Sequence, residues 1–172
     1  MSAQFHTVLT ALMSTDNAQR RAAEEFYTNE MKTNAMNGLS NLLAVLQDTA
    51  GDPLHRSFSG VLLRQAIEKY SSVLPAEVIP QIRAQLLQLW AMEKDVVIMK
   101  RLTHALAQSA AQLPWPELLP SLAAQVASMQ PVKVASFLSL VEKVSEYRPA
   151  DIQASISVLG GFLAQSLSSP EP

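Results

Sequence analysis

Three histidines, His6, His55 and His104, are the side chains in this chain best suited to metal or acid–base chemistry, and their spacing denies them both. No two stand at i and i+4, the separation that sets two imidazoles on one helix face around a zinc ion. Ser59-Gly60 lacks the preceding glycine and the strand that make a serine a nucleophile at a sharp elbow. The five glycines, Gly38, Gly51, Gly60, Gly160 and Gly161, form no phosphate cradle ahead of a Lys-Ser/Thr pair. Asp48 and Asp52 flank one loop as paired acids would, but Pro53 directly after Asp52 marks a helix start, where the carboxylate caps free amides. With no cysteine there is no thiol nucleophile, iron–sulfur cluster or thiolate zinc site. These residues predict no enzyme, no cofactor and no metal.

Charge placed on particular segments is the chemistry that remains. Arg20 and Glu24, and Arg21 and Glu25, stand at i and i+4, spacings that let each pair meet on a helix surface for a few tenths of a kcal/mol. Arg56, Arg64 and Lys69 fall on or beside the polar face of one apolar-periodic segment, and Lys100-Arg101 do the same on another. Each group reads either as a solvated face or as part of a ladder that meets a protein partner. The formal net charge is −2, and each half of the chain is slightly acidic. No basic half exists to follow a phosphate backbone, so nucleic acid is not an expected ligand.

The elements that must position these groups are helices. Ala, Leu, Gln, Glu and Met dominate the long runs, and no Asn-Gly or Asp-Gly turn separates alternating segments. Apolar spacing predicts a first helix over about 3–13, with Phe5, Val8, Leu9 and Leu12 on one stripe. Ser14-Thr15-Asp16 breaks the chain and caps a second, over about 16–31. A third covers about 36–47, and Asp52-Pro53 opens a fourth that reaches about 70. Pro75 and Pro80 sit at the entry of a fifth ending near 92, and Asp95 starts a sixth that ends near 112. Pro114, Pro116 and Pro120 flank the start of a seventh reaching about 128; Pro131 begins an eighth, to about 147, and Pro149 a ninth, to about 168. Helix pairs recurring every ~33–43 residues are the mark of an α-α superhelix, a solenoid in which each pair buries its apolar faces only against its neighbours.

The expected organisation is therefore an all-α solenoid of about four helix pairs, over 3–32, 36–70, 76–112 and 115–147, with the start of a fifth at 150–168. The ninth helix has the apolar content of an element awaiting a partner, and the chain is expected to be the amino-terminal piece of a longer solenoid. The 19 uncharged residues from Ile152 to Pro170 approach the length of a bilayer span. They carry too many Gln, Ser and Gly residues for one, so no membrane is expected. The start, Met1-Ser-Ala-Gln-Phe-His, lacks the charged and apolar regions of a secretory signal, which with the absence of cysteine fits a cytosolic or nuclear protein.

Leu9-Thr-Ala-Leu-Met-Ser-Thr-Asp-Asn-Ala-Gln-Arg-Arg-Ala-Ala-Glu-Glu-Phe-Tyr27 resembles the first repeat of the importin-beta (karyopherin-beta) family, whose pattern of an apolar helix, a Ser/Asp turn and Arg-x-x-Ala-Glu-x-x-Leu/Tyr is met by Arg20, Ala23, Glu24 and Tyr27. Arg56 through Val61-Leu-Leu-Arg-Gln-Ala-Ile67 resembles the second repeat, and Trp115-Pro-Glu-Leu-Leu-Pro-Ser-Leu122 the helix that opens a later one. Within the family the chain is most similar to the importin-beta-3, or Ran-binding importin, branch. The resemblance implies a HEAT-repeat (armadillo-like) solenoid that takes part in nuclear import and shuttles between cytoplasm and nucleus. It implies as partners the Ran GTPase in its GTP form, cargo proteins with nuclear localisation signals, and nucleoporin Phe-Gly repeats that bind between helices. Arg56, Arg64, Gln65 and Lys69, then Lys100 and Arg101, are the partner contacts it implies here. Gln65 departs from the branch, where a second basic residue is common, as does the short link from Met31 to Met36. A HEAT-repeat scaffold for another assembly, without Ran binding, is the alternative.

Overall fold

The computed structural model describes residues 3–126 and 130–168. Among the described residues the regular elements are helical: α1 (Ala3–Leu12), α2 (Asn17–Thr33), α3 (Ala35–Gln47), α4 (Pro53–Tyr70), α5 (Ile79–Met92), α6 (Val96–Gln112), α7 (Leu118–Val126), α8 (Pro131–Tyr147), α9 (Pro149–Ala154) and α10 (Ile156–Ser168), with a 3₁₀ turn at Ser71–Val73. The starts follow the capping chemistry of the sequence. The Asp16 carboxylate accepts from the amides of Ala18 and Gln19 at 2.8 and 3.3 Å. Asp52 accepts from Leu54 at 2.9 Å with Pro53 in the first turn, and Asp95 from Val97 and Ile98 at 2.8 and 3.0 Å. Each satisfies donors that would otherwise lack partners at the helix end. Arg20 serves the turn before its own helix, donating to the Ser14 carbonyl at 3.2 Å while it pairs with Glu24 at 3.9 Å.

Two starts come later than predicted. Residues 76–78 form a turn, closed by the Val78 amide on the Pro75 carbonyl at 3.0 Å, so α5 begins at Ile79 with Pro80 inside its first turn. The residues around Trp115 form a second such turn, and α7 begins at Leu118. The expected end of this helix near 128 lies outside the described residues. The predicted ninth helix is two helices. At Ser155 the backbone has φ −99° and ψ 3°, and its amide is shared between the carbonyls of Asp151 and Ile152 at 3.2 and 3.0 Å. That three-centre bond tightens and ends α9, and α10 starts one residue later.

The helices stack in two rows. α1 packs on α2, α3 on α4, α5 on α6 and α7 on α8; α4, α6 and α8 pack side by side, as do α3 with α5 and α7 with α10. Each helix packs chiefly on those up to three places away in the chain, which is the connectivity of an open row. One apolar cluster runs through it from Phe5 to Phe162, with Leu9, Leu42, Leu63, Trp90, Leu102, Phe137 and Leu140 fully buried. Each such side chain contributes about 1.5–3 kcal/mol. α6 sits between α4, α5 and α8 and is buried on most sides, at Ile98, Met99, Leu102, Thr103 and from Ala105 through Ala110. Gly60 sets the distance between α4 and α6, because a Cβ there would lie 2.6 Å from the Cβ of Arg101. A polar thread crosses the same layer: the Trp90 indole donates to Thr103 and Ser136 at 3.0 and 3.1 Å, tying α5, α6 and α8 together.

Candidate partner-binding surface

The row of even helices gathers charge. Along α4, Gly60 and Arg64 are one turn apart; along α6, Arg101, His104 and Gln108 follow at i, i+3 and i+7; along α8, Lys143 and Tyr147 are again one turn apart. Because α4, α6 and α8 lie side by side, these residues and Val61 line one groove with a cavity volume of about 250 Å³. Arg64 pairs with Glu68 of its own helix at 3.4 Å, and Lys143 with Glu146 at 3.7 Å. Lys100 and Arg101 have no ion pair among the described residues. Burial holds the His104 imidazole below its ordinary range, and the charges of Lys143, Lys100, Arg101 and Arg64 push it further down.

A second groove, with a cavity volume of about 350 Å³, lies on the other side of Val61 between α2 and α4. Tyr27, Phe58 and Tyr70 form its aromatic wall, and Gln65 and Lys69 its polar edge. The Lys69 ammonium stands 5.5 Å from the centre of the Tyr70 ring. Burial, and then Tyr70, raises the Tyr27 hydroxyl above the ordinary tyrosine range.

The six residues implied as partner contacts are thus divided. Arg64 and Arg101 share the groove across α4, α6 and α8, and Lys100 is exposed beside them. Gln65 and Lys69 belong to the neighbouring groove. Arg56 stands apart from both grooves: it is 5% exposed, and its guanidinium is engaged within the fold. Its guanidinium donates to the Leu46 carbonyl from Nε and Nη2, at 3.1 and 2.8 Å, and to Glu93 Oε2 at 2.5 Å, so it joins the end of α3 to the end of α5. His104, Gln108, Lys143 and Tyr147 are functional candidates that reading the sequence passed over. The spacing of His104 and Gln108 from Arg101 was a visible signal; the approach of α8 was not.

No family model matches the chain. Solved structures do. The structure of Kap121p superposes with a TM-score of 0.79 at 26% identity, over 98% of this chain and 16% of that one. Kap121p bound to Pho4p matches with a TM-score of 0.75 at 27% identity, again over 98% of this chain and 16% of that one. Kap121p bound to RanGTP matches in fold, with a TM-score of 0.72 at 24% identity over 98% of this chain and 18% of that one. Its fold is that of an importin-beta karyopherin. The chain spans about a sixth of the length of the Kap121p structures it matches. In the karyopherin solenoid the described helices are HEAT-type pairs, and the two rows are the two faces of the repeat.

Proposed function

We propose that this chain is the amino-terminal HEAT segment of a longer nuclear transport receptor, and that its row of even helices binds Ran in the GTP form to release cargo. The observation that carries the reading is the convergence of Arg64, Arg101 and Lys143, from three successive pairs, on one groove, with Lys69 in the next. Two or three pairs can offer the ~800 Å² that one side of a standard interface needs. The karyopherin fold, and a Kap121p structure bound to RanGTP, support Ran as the partner. Ran and cargo would favour different curvatures of one flexible stack, so that each lowers the other's affinity through a shared equilibrium. The repeats 3–32, 36–70, 76–112 and 115–147 are its units, and 150–168 begins another. Exposed Ile156 and Leu163, at i and i+7 on one face of α10, support a further repeat against that face.

Cargo with nuclear localisation signals, and shuttling between cytoplasm and nucleus, belong to the same proposal. For nucleoporin Phe-Gly repeats the fitting place is the crevice between α3 and α5. It has a cavity volume of about 180 Å³, lined by Leu43, Leu46, Leu89 and Met92, and is suited to one aromatic side chain. The test of the Ran reading is charge reversal. Arg64→Glu with Lys69→Glu in the longer protein is expected to weaken Ran-GTP binding by about tenfold or more, each tenfold being ~1.4 kcal/mol. Unchanged affinity in a calorimetric titration removes both residues from the interface, and no Ran-GTP binding by the parent protein favours a scaffold that does not bind Ran.

A further inference from the structure

The floor of the groove across α4, α6 and α8 holds an unmet demand. Arg101 Nε is buried and has no hydrogen-bond partner among the described residues, in a groove whose lining includes Arg64, His104 and Lys143. The carboxylates paired with these cations, Glu68 and Glu146, stand at the solvent side with about half of each side chain exposed, at 54%. They answer Arg64 and Lys143, while Arg101 and His104 have no ion pair among the described residues. Arg101 as a whole is only partly buried and lines the groove, so an acceptor brought from outside can meet its guanidinium, and a carboxylate suits it best in charge and geometry.

We propose that this groove is a receptor for an acidic protein segment, which inserts one Asp or Glu carboxylate against Arg101 and His104 while flanking acids meet Arg64, Lys143 and Lys100. The dimensions favour a side chain over a polyanion. A cavity of about 250 Å³ admits one short acidic residue, with Val61 and Tyr147 as walls for its methylenes. The rim glutamates and the net charge of −2 oppose the closely repeated charge of a nucleic acid. The inference concerns the chemistry of the bound segment, and it stands whether or not the partner is Ran.

The groups facing His104 give the site a pH signature. These are Arg64 with its partner Glu68 from α4, Lys100 and Arg101 from α6, and Lys143 with its partner Glu146, together with Tyr147, from α8. In the empty groove burial, and then the surrounding cations, disfavour the imidazolium; a carboxylate placed against it favours it. Binding therefore takes up a proton, and affinity rises as pH falls into the ordinary imidazole range.

Fluorescence anisotropy of the 172-residue chain with a labelled Glu-rich peptide tests this. The Gln-substituted peptide, inorganic phosphate and a single-stranded DNA oligonucleotide serve as competitors. The Glu-rich peptide is expected to bind and to be displaced by none of the three at matched concentration. Arg101→Gln is expected to weaken it by about tenfold or more, Lys32→Glu on the far part of α2 to leave it unchanged, and His104→Gln to abolish the gain at low pH. Lys143→Gln, at the rim, is expected to weaken the peptide as well and serves if Arg101→Gln fails to fold. Equal binding of the Gln-substituted peptide, unchanged affinity in both groove variants, or displacement by the oligonucleotide overturns the proposal. Peptide binding without Ran-GTP binding would retain it and remove the Ran reading.

Discussion

Arg56 shows how one residue changes meaning between sequence and structure. On the α4 helix both it and Arg64 lie on or beside the polar face, so the sequence alone gives both the same reading. The difference comes from Leu46 and from Glu93, which is 37 positions away and reaches Arg56 only because α5 closes over the end of α3. Glu93 is itself committed, its other oxygen accepting from the amides of Lys94 and Asp95 at 2.9 and 2.8 Å. Removing one partner of such a buried pair strands the other charge. Arg56→Leu is expected to cost about 3–5 kcal/mol in urea unfolding, and Arg56→Leu with Glu93→Leu to recover much of that loss. A single variant within about 1 kcal/mol of the parent would contradict the assigned role. His104 gives a second residue-scale expectation. Its folded pKa lies below the ordinary 6.5, so below that pH the unfolded chain binds more protons. Stability therefore falls as pH drops through 6.5, and His104→Gln lessens the loss. Thermal melts of parent and variant from about pH 7.5 to about pH 5.5 check the sign.

At the scale of elements, the fold was legible wherever a helix start carries its own chemistry. Asp16, Asp52-Pro53, Asp95, Pro131 and Pro149 mark starts that the structure keeps to within a residue. Proline alone is less definite, because it can precede a helix, as Pro75 does, or sit in its first turn, as Pro80 does. The break at Ser155 carries no proline or glycine, and a serine inside an apolar run gives no local sign of a shared amide. The groove was legible by halves. Helical spacing aligns Arg101, His104 and Gln108, but only packing sets Arg64 and Lys143 beside them. Gly60 governs that packing. In an exposed helix, Gly→Ala gains ~1 kcal/mol. Here the added Cβ meets the Arg101 Cβ at 2.6 Å, so Gly60→Ala is expected to destabilise the chain by about 1–3 kcal/mol. Stabilisation on denaturant unfolding would mean that α4 and α6 are not in close contact there.

At the scale of the whole molecule, pacing was the informative signal, because a solenoid repeats its unit while a closed bundle has no reason to. Helix pairs of nearly constant length predicted a row, and contacts confined to near neighbours along the chain are what a row produces. The row matters because it places corresponding faces of successive pairs side by side, so that modest charges from α4, α6 and α8 act as one surface. The central functional claim is that this surface distinguishes the nucleotide state of Ran. Binding of the immobilised 172-residue chain to Ran loaded with GTP, measured beside Ran loaded with GDP, tests it most directly. Saturable binding of the GTP form and at least about tenfold weaker binding of the GDP form is the predicted result. Equal binding of the two forms, or no binding of either, would contradict it.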